Sequence, residues 1–155
     1  MTFTLHSAAF EDGDAIPEAY VREGENRSPP LSWRDPPRGS RSFLLIAEDT
    51  DAPDGIFRHW AVYDIAADQR ELPEGAGAGD WEAVLGRQGV NDFGRHGYDG
   101  PQPPPGDGRH HYHFRLAALD TPHLEVPKNA DAAAVLDAAR AHLIDETQIV
   151  ATYER

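Results

Sequence analysis

Apolar and polar positions alternate along several stretches of this chain and run together in one. From Arg109 to Leu116 the alternation is regular. Side chains at every second position of a strand share a face. His110, Tyr112, Phe114 and Leu116 therefore fall together, and Arg109, His111, His113 and Arg115 lie opposite. The first set grades from polar to apolar, as a pocket mouth grades into a core. Ser42–Asp49 is instead an unbroken apolar run ending in acid, the pattern of a central strand buried on both faces. After the sharp turn of Asp49–Gly55, His59–Ile65 is predicted as the next strand, with His59, Ala61 and Tyr63 on one face. So short a connection favours antiparallel pairing, which brings Asp49 close to His59.

Weaker patterns fill in the rest. Phe3–Ser7 alternates and predicts a first strand, and the prolines within Ser28–Trp33 hold that stretch extended. Trp81–Leu85 fits a short strand or a turn, Gln88–Gly94 reads as loop, and Leu119–Pro127 as a connection. Asp131–His142 is the one clear helix, capped by Asn129 or Asp131, with Val135, Leu136, Ala139 and Leu143 as its apolar stripe. Thr147–Tyr153 is rich in β-branched residues and predicts a last strand, with Ile149, Ala151 and Tyr153 on one face. Before the Arg109 strand, Tyr98–Gly108 is too rich in Pro and Gly for regular structure. No repeat or linker interrupts the pattern, so residues 1–155 are expected to form one mainly β domain with a C-terminal helix.

Composition narrows the function classes. The formal charge is −13, and Lys128 is the only lysine. Such a field repels nucleic acid and anionic membranes, so neither is an expected partner. No Cys is present, which excludes disulfides and thiolate metal sites. Met1–His6 lacks a basic segment followed by an apolar run, and no stretch approaches the ~20 apolar residues of a membrane span. A cytoplasmic location is the default expectation.

The candidate chemistry is Asp49, Asp51, His59, His110 and Tyr112, all at strand ends beside Pro- or Gly-bearing turns. Asp51, before Ala52-Pro53, reads first as a turn residue bonding nearby backbone. Tyr112 suits plain core as well as a pocket wall, and His111 and His113 suit solvated strand positions. Two strand-end histidines with an acid nonetheless make a coherent anion site. Imidazoles, a phenol and loop N–H groups would hold a phosphate or carboxylate, while the acid orients and charges the imidazoles. A metal is the weaker alternative, since no compact ligand motif is present. The five serines lie outside any Gly-x-Ser-x-Gly elbow, so no hydrolase signal accompanies the set.

Five stretches carry a family resemblance. They are Ser28–Trp33, Asp49-Thr50-Asp51-Ala52-Pro53, His59-Trp60, the glycine–proline loop of Asn91–Gly94, Gly97-Tyr98 and Gly100–Pro104, and Gly108-Arg109-His110-His111-Tyr112. In this order and spacing the chain resembles the phosphatidylethanolamine-binding protein family, in its small bacterial and archaeal, Raf-kinase-inhibitor-like branch. The resemblance implies a β-sandwich with a large antiparallel central sheet, a smaller second sheet and few helices. It implies a small pocket for phosphate or a phosphoryl head group, lined by Asp49, His59, His110 and Tyr112. Gln102 and Pro104 would form the rim, and Asp51 and Pro53 the supporting turn, with a cis bond before Pro53 as one option. Thr50 stands where the family has proline, which frees an N–H, and His111 stands where it has arginine, which removes a permanent charge. The expected function is a non-catalytic small-anion-binding protein without cofactor. The alternative is an inhibitor or regulatory partner of a kinase, protease or other enzyme acting through the pocket rim. Some members of the branch pair as homodimers, although no self-complementary patch is visible in the sequence.

Overall fold

The computed structural model describes residues 1–83 and 85–155. Among them the strands are β1 (Thr4–His6), β2 (Leu31–Arg34), β3 (Ser42–Asp49), β4 (Phe57–Ala66), β5 (Glu71–Leu72), β6 (Glu82–Ala83), β7 (Gly86–Gln88), β8 (His110–Leu119) and β9 (Leu143–Tyr153). One α-helix, α1 (Ala132–Ala139), lies between β8 and β9. The strands form a three-stranded sheet, β1-β2-β5, and a six-stranded sheet, β6-β7-β4-β3-β8-β9, and neighbours within each are antiparallel. The large and small sheets that the family resemblance implies are both present. No helix among the described residues is long and apolar enough to cross a membrane.

β3 is the pivot, because every one of its residues is buried. Phe43, Leu45 and Ala47 pack towards the small sheet with Leu5, Leu31, Trp33 and Leu72. Leu44 and Ile46 pack on the other face with Val135 and Ala139 of α1. One strand thus serves two cores, which is why its sequence does not alternate. Phe43 links the sheets directly: its ring centroid lies 5.5 Å from that of Trp33 and 6.2 Å from that of Phe3.

β4 departs from simple alternation. Ala47 pairs with Trp60, but the next residue of β3, Glu48, pairs with Arg58. His59 is therefore an extra residue, a β-bulge, which re-aims the side chains on either side. A second shift occurs between the pairs Phe43–Ile65 and Leu45–Val62. Nearby, Asp64 takes the left-handed φ of 57°. As a result Trp60, Val62 and Ile65 enter the first core, and Ala61 and Tyr63 the second. The predicted common face of His59, Ala61 and Tyr63 is thus corrected: His59 looks towards Tyr112, at 5.5 Å between rings, and the other two look away.

Smaller differences have local causes. α1 is capped by Asp131, whose carboxylate accepts from Ala134 N–H at 2.8 Å. It ends at Ala139 in a 3₁₀ turn, Arg140–His142, so Leu143 is not on the helical stripe but opens β9 as an exposed residue. Gln88 belongs to β7 rather than to a loop. Its side chain accepts from the Trp60 indole N–H at 2.8 Å. Within the Trp81–Leu85 stretch, Glu82–Ala83 is a strand and Val84 lies outside the described residues. β5 is two residues long, too short to leave a periodic signal. The bond before Pro53 is trans. Replacing Phe43, wholly buried between the sheets, with Ala is expected to cost about 3–5 kcal/mol in denaturant unfolding. A loss below ~1 kcal/mol would contradict its bridging role.

Candidate functional site

The antiparallel register of β3 and β8 sets Asp49 opposite Tyr112, so the end of one strand meets the start of the other. β4 begins beside them with Phe57 and the bulged His59. The three strand ends enclose a cavity of about 110 Å³. Asp49, His59, His110 and Tyr112 line it, with Gln102 and Pro104 from the loop, as do Pro53, Phe57 and Phe93. Pockets for drug-sized ligands start near ~300 Å³, so this one suits a small group. Asp51 stays outside. Its carboxylate accepts from the His111 backbone N–H at 2.8 Å and from Nδ1 of the ring at 2.7 Å. It therefore ties the β3 turn to β8. The freed N–H of Thr50 donates to the His111 carbonyl at 3.3 Å, and its hydroxyl lies 3.2 Å from Nε2 of His113.

His110 is the centre of the site. Its Nδ1 donates to Asp49 at 2.6 Å, and its Nε2 donates to Asp107 at 2.6 Å. A carboxylate only accepts, so both ring nitrogens carry protons and the ring is an imidazolium. Burial opposes that charge, but the hydrogen bonds to Asp49 and Asp107 outweigh it and raise the ring above its ordinary 6.5. The second oxygen of Asp49 accepts from Asp51 N–H at 2.7 Å, which fixes the carboxylate from behind.

His59 behaves oppositely. Its Nδ1 donates to the Asp99 carbonyl at 2.7 Å. The ring lies among Phe57 at 4.9 Å, Tyr112 at 5.5 Å and Phe93 at 5.6 Å. Burial lowers it below 6.5 and outweighs the opposing pull of Asp99 and Asp49. The expectation that Asp49 orients and charges both imidazoles is therefore corrected. Asp49 spends its oxygens on His110 and Asp51, and aromatic walls keep His59 neutral. With its proton on Nδ1, neutral His59 offers Nε2 as an acceptor rather than a donor.

The Tyr112 hydroxyl is buried, and no acceptor stands at full hydrogen-bonding geometry to it; the Asp49 carboxylate is the nearby group. Burial, reinforced by the charge of Asp49 and by that carboxylate's pull on the phenol proton, raises its pKa, so it remains a proton donor. Other groups in the site carry no sequence signal of their own. Asp99 accepts from Asn26 at 2.9 Å, Asn91 at 2.8 Å and Arg95 at 2.7 Å, and so stabilises the carbonyl that holds His59. Arg22 lies 4.2 Å over the Phe93 ring and donates to the Gln102 side chain at 2.8 Å. Asp107 was readable only as an acid three residues before His110. Among the described residues, no cluster of three or more His, Asp or Glu could hold a metal ion.

The family model for phosphatidylethanolamine-binding protein matches residues 6–154. A UPF0098 protein of Aquifex aeolicus is 40% identical, over 97% of this chain and 88% of its own. The UPF0098 protein YbhB of Escherichia coli is 38% identical, over 96% and 98%. The crystal structure of E. coli YbcL, described as a new member of the mammalian PEBP family, superposes with a TM-score of 0.93. It is 35% identical and the match covers 99% of this chain and 98% of YbcL.

The two histidines should titrate in opposite senses. At pH 6.5, ¹H–¹⁵N imidazole spectra are expected to show more than half of the His110 rings doubly protonated and more than half of the His59 rings neutral with the proton on Nδ1. The reverse order would contradict the hydrogen-bond assignment.

Proposed function

This chain belongs to the phosphatidylethanolamine-binding protein family, and from that premise we propose that it is a non-catalytic protein that binds a small oxyanion, a phosphate or phosphoryl head group. The observation that carries the reading is an imidazolium beside an unpartnered phenol hydroxyl in a cavity of about 110 Å³. A buried donor without a partner costs about 1–3 kcal/mol, and a bound oxygen would recover that. His110 supplies charge, Tyr112 a directed hydrogen bond, and His59 an acceptor for the proton of a hydrogenphosphate. Phe57, Phe93 and the prolines exclude water and strengthen each contact.

The donors act over a few ångströms, so a net charge of −13 does not prevent binding of a small anion, although it opposes anionic bilayers and nucleic acid. The cavity wall contains no Ser, Lys or Cys nucleophile, and Asp49 is committed to His110, which favours binding over turnover. An inhibitor acting through the rim is less well supported. Gln102 is held by Arg22, and the Pro103 carbonyl accepts from Arg155 at 2.6 Å, so these polar groups already have internal partners.

Calorimetric titration with inorganic phosphate, phosphoethanolamine and sulfate, with chelator present, tests this reading. Saturable binding is expected, stronger at pH 6 than at pH 8. The same trend should hold for sulfate, which does not itself titrate in that range. His110→Ala should abolish binding while the protein stays folded. Tyr112→Phe should weaken it by about 3- to 10-fold, without loss of stability, because the hydroxyl it removes is unpaired. Unchanged affinity in His110→Ala would overturn the assignment.

A further inference from the structure

His110 has two N–H groups, and the protein uses both. Nδ1 serves Asp49, so Nε2 is the only donor left to offer a ligand, and Asp107 Oδ2 sits on it at 2.6 Å. Resting on the oxyanion reading above, we propose that Asp107 is a resident competitor: an anion reaches His110 only by displacing this carboxylate from Nε2. The tethered side chain already supplies the contact that one ligand oxygen would make to His110. The Tyr112 hydroxyl has no partner at hydrogen-bonding geometry while Asp107 is in place. A free oxyanion can place one oxygen on His110 and another on Tyr112, and so gains a bond that the resident side chain does not make.

The loop around Asp107 allows the exchange. His110 is 2% exposed and Asp107 38%, so the carboxylate reaches in from the solvent side. Gly106 and Gly108 flank it at φ 76° and 87°, and a Cβ added at either would meet nothing within 4 Å. These are left-handed positions that glycine adopts without strain. The backbone stays anchored while the side chain turns: Asp107 N–H donates to the Pro104 carbonyl at 3.1 Å, and Gly106 N–H to the Arg155 carbonyl at 3.0 Å.

Charge favours a swap over an addition. The groups around His110 are Asp49 on β3, Asp51 in the turn after it, Asp107 on the loop, and neutral His59 and Tyr112. Asp51 is paired with His111. With Asp107 in place, one imidazolium lies between two carboxylates, and a further anion would be repelled. With Asp107 turned out, an anion restores the same balance. The affinity observed for any ligand is then reduced by the fraction of molecules in which Asp107 occupies Nε2.

Calorimetry with phosphate on the intact protein, on Asp107→Ala and on Asp107→Asn tests the proposal. Asp107→Ala should bind phosphate about tenfold more tightly than wild type, the scale of one charge-assisted hydrogen bond weakened by solvent. Adding His110→Ala should remove the gain. Asp107→Asn should fall between, because its amide oxygen can still accept from Nε2. Phosphate affinity that is unchanged or weaker in Asp107→Ala would overturn the competitor role while leaving the oxyanion pocket standing. Absence of phosphate binding in every form would overturn both.

Discussion

The pairing of Asp49 with His110 depends on everything around it, and the site in turn depends on that pair. Two buried ionised groups tolerate each other only when the geometry is good and their remaining bonding capacity is met, because desolvation of each costs several kcal/mol. The β3–β8 register supplies that geometry. It is fixed over eight consecutive residue pairs from Ser42–Leu119 to Asp49–Tyr112. A one-residue slip would turn His110 out of the cavity and Phe114 out of the core together. Core packing and site geometry therefore share one constraint: the apolar residues that hold the register also hold the charge pair.

Around that pair the cavity is asymmetric. His110 is charged by two carboxylates, while His59 is kept neutral by burial among three aromatic rings, against the pull of the backbone carbonyl that its Nδ1–H donates to. Two histidines lining one cavity thus take different states from their surroundings, one a donor and one an acceptor. The arrangement suits a ligand that presents both an anionic oxygen and a protonated one. It also gives Asp107 its meaning, since a charged Nε2–H inside an acidic protein would otherwise have no acceptor.

Much of this was legible in the sequence where a single strand's period governs. The alternation of Arg109–Leu116 gave the right face to His110 and Tyr112, and the apolar run at Ser42–Asp49 gave the doubly buried strand. The faces of β4 were misread because a bulge leaves no mark on hydrophobic pattern: Trp60 and Ala61 are both apolar, and either could have faced the first core. Asp99 and Arg22 were missed for another reason. Their roles arise from contacts across long sequence separations, such as Asp99 with Asn26, and no local spacing encodes them. The shared charging of two histidines by Asp49 failed because strand-end proximity does not determine how a carboxylate divides its two oxygens.

On this reading an oxyanion meets His110 Nε2 and Tyr112 inside the cavity. The eight histidines provide internal controls for it. The decisive measurement adds phosphate at constant pH and follows all the imidazole resonances. Saturable shifts are expected at His110 and at His59 in the same cavity, with exposed His6 and His123 unmoved. Shifts confined to the exposed rings, with His110 silent at saturating phosphate, would contradict it.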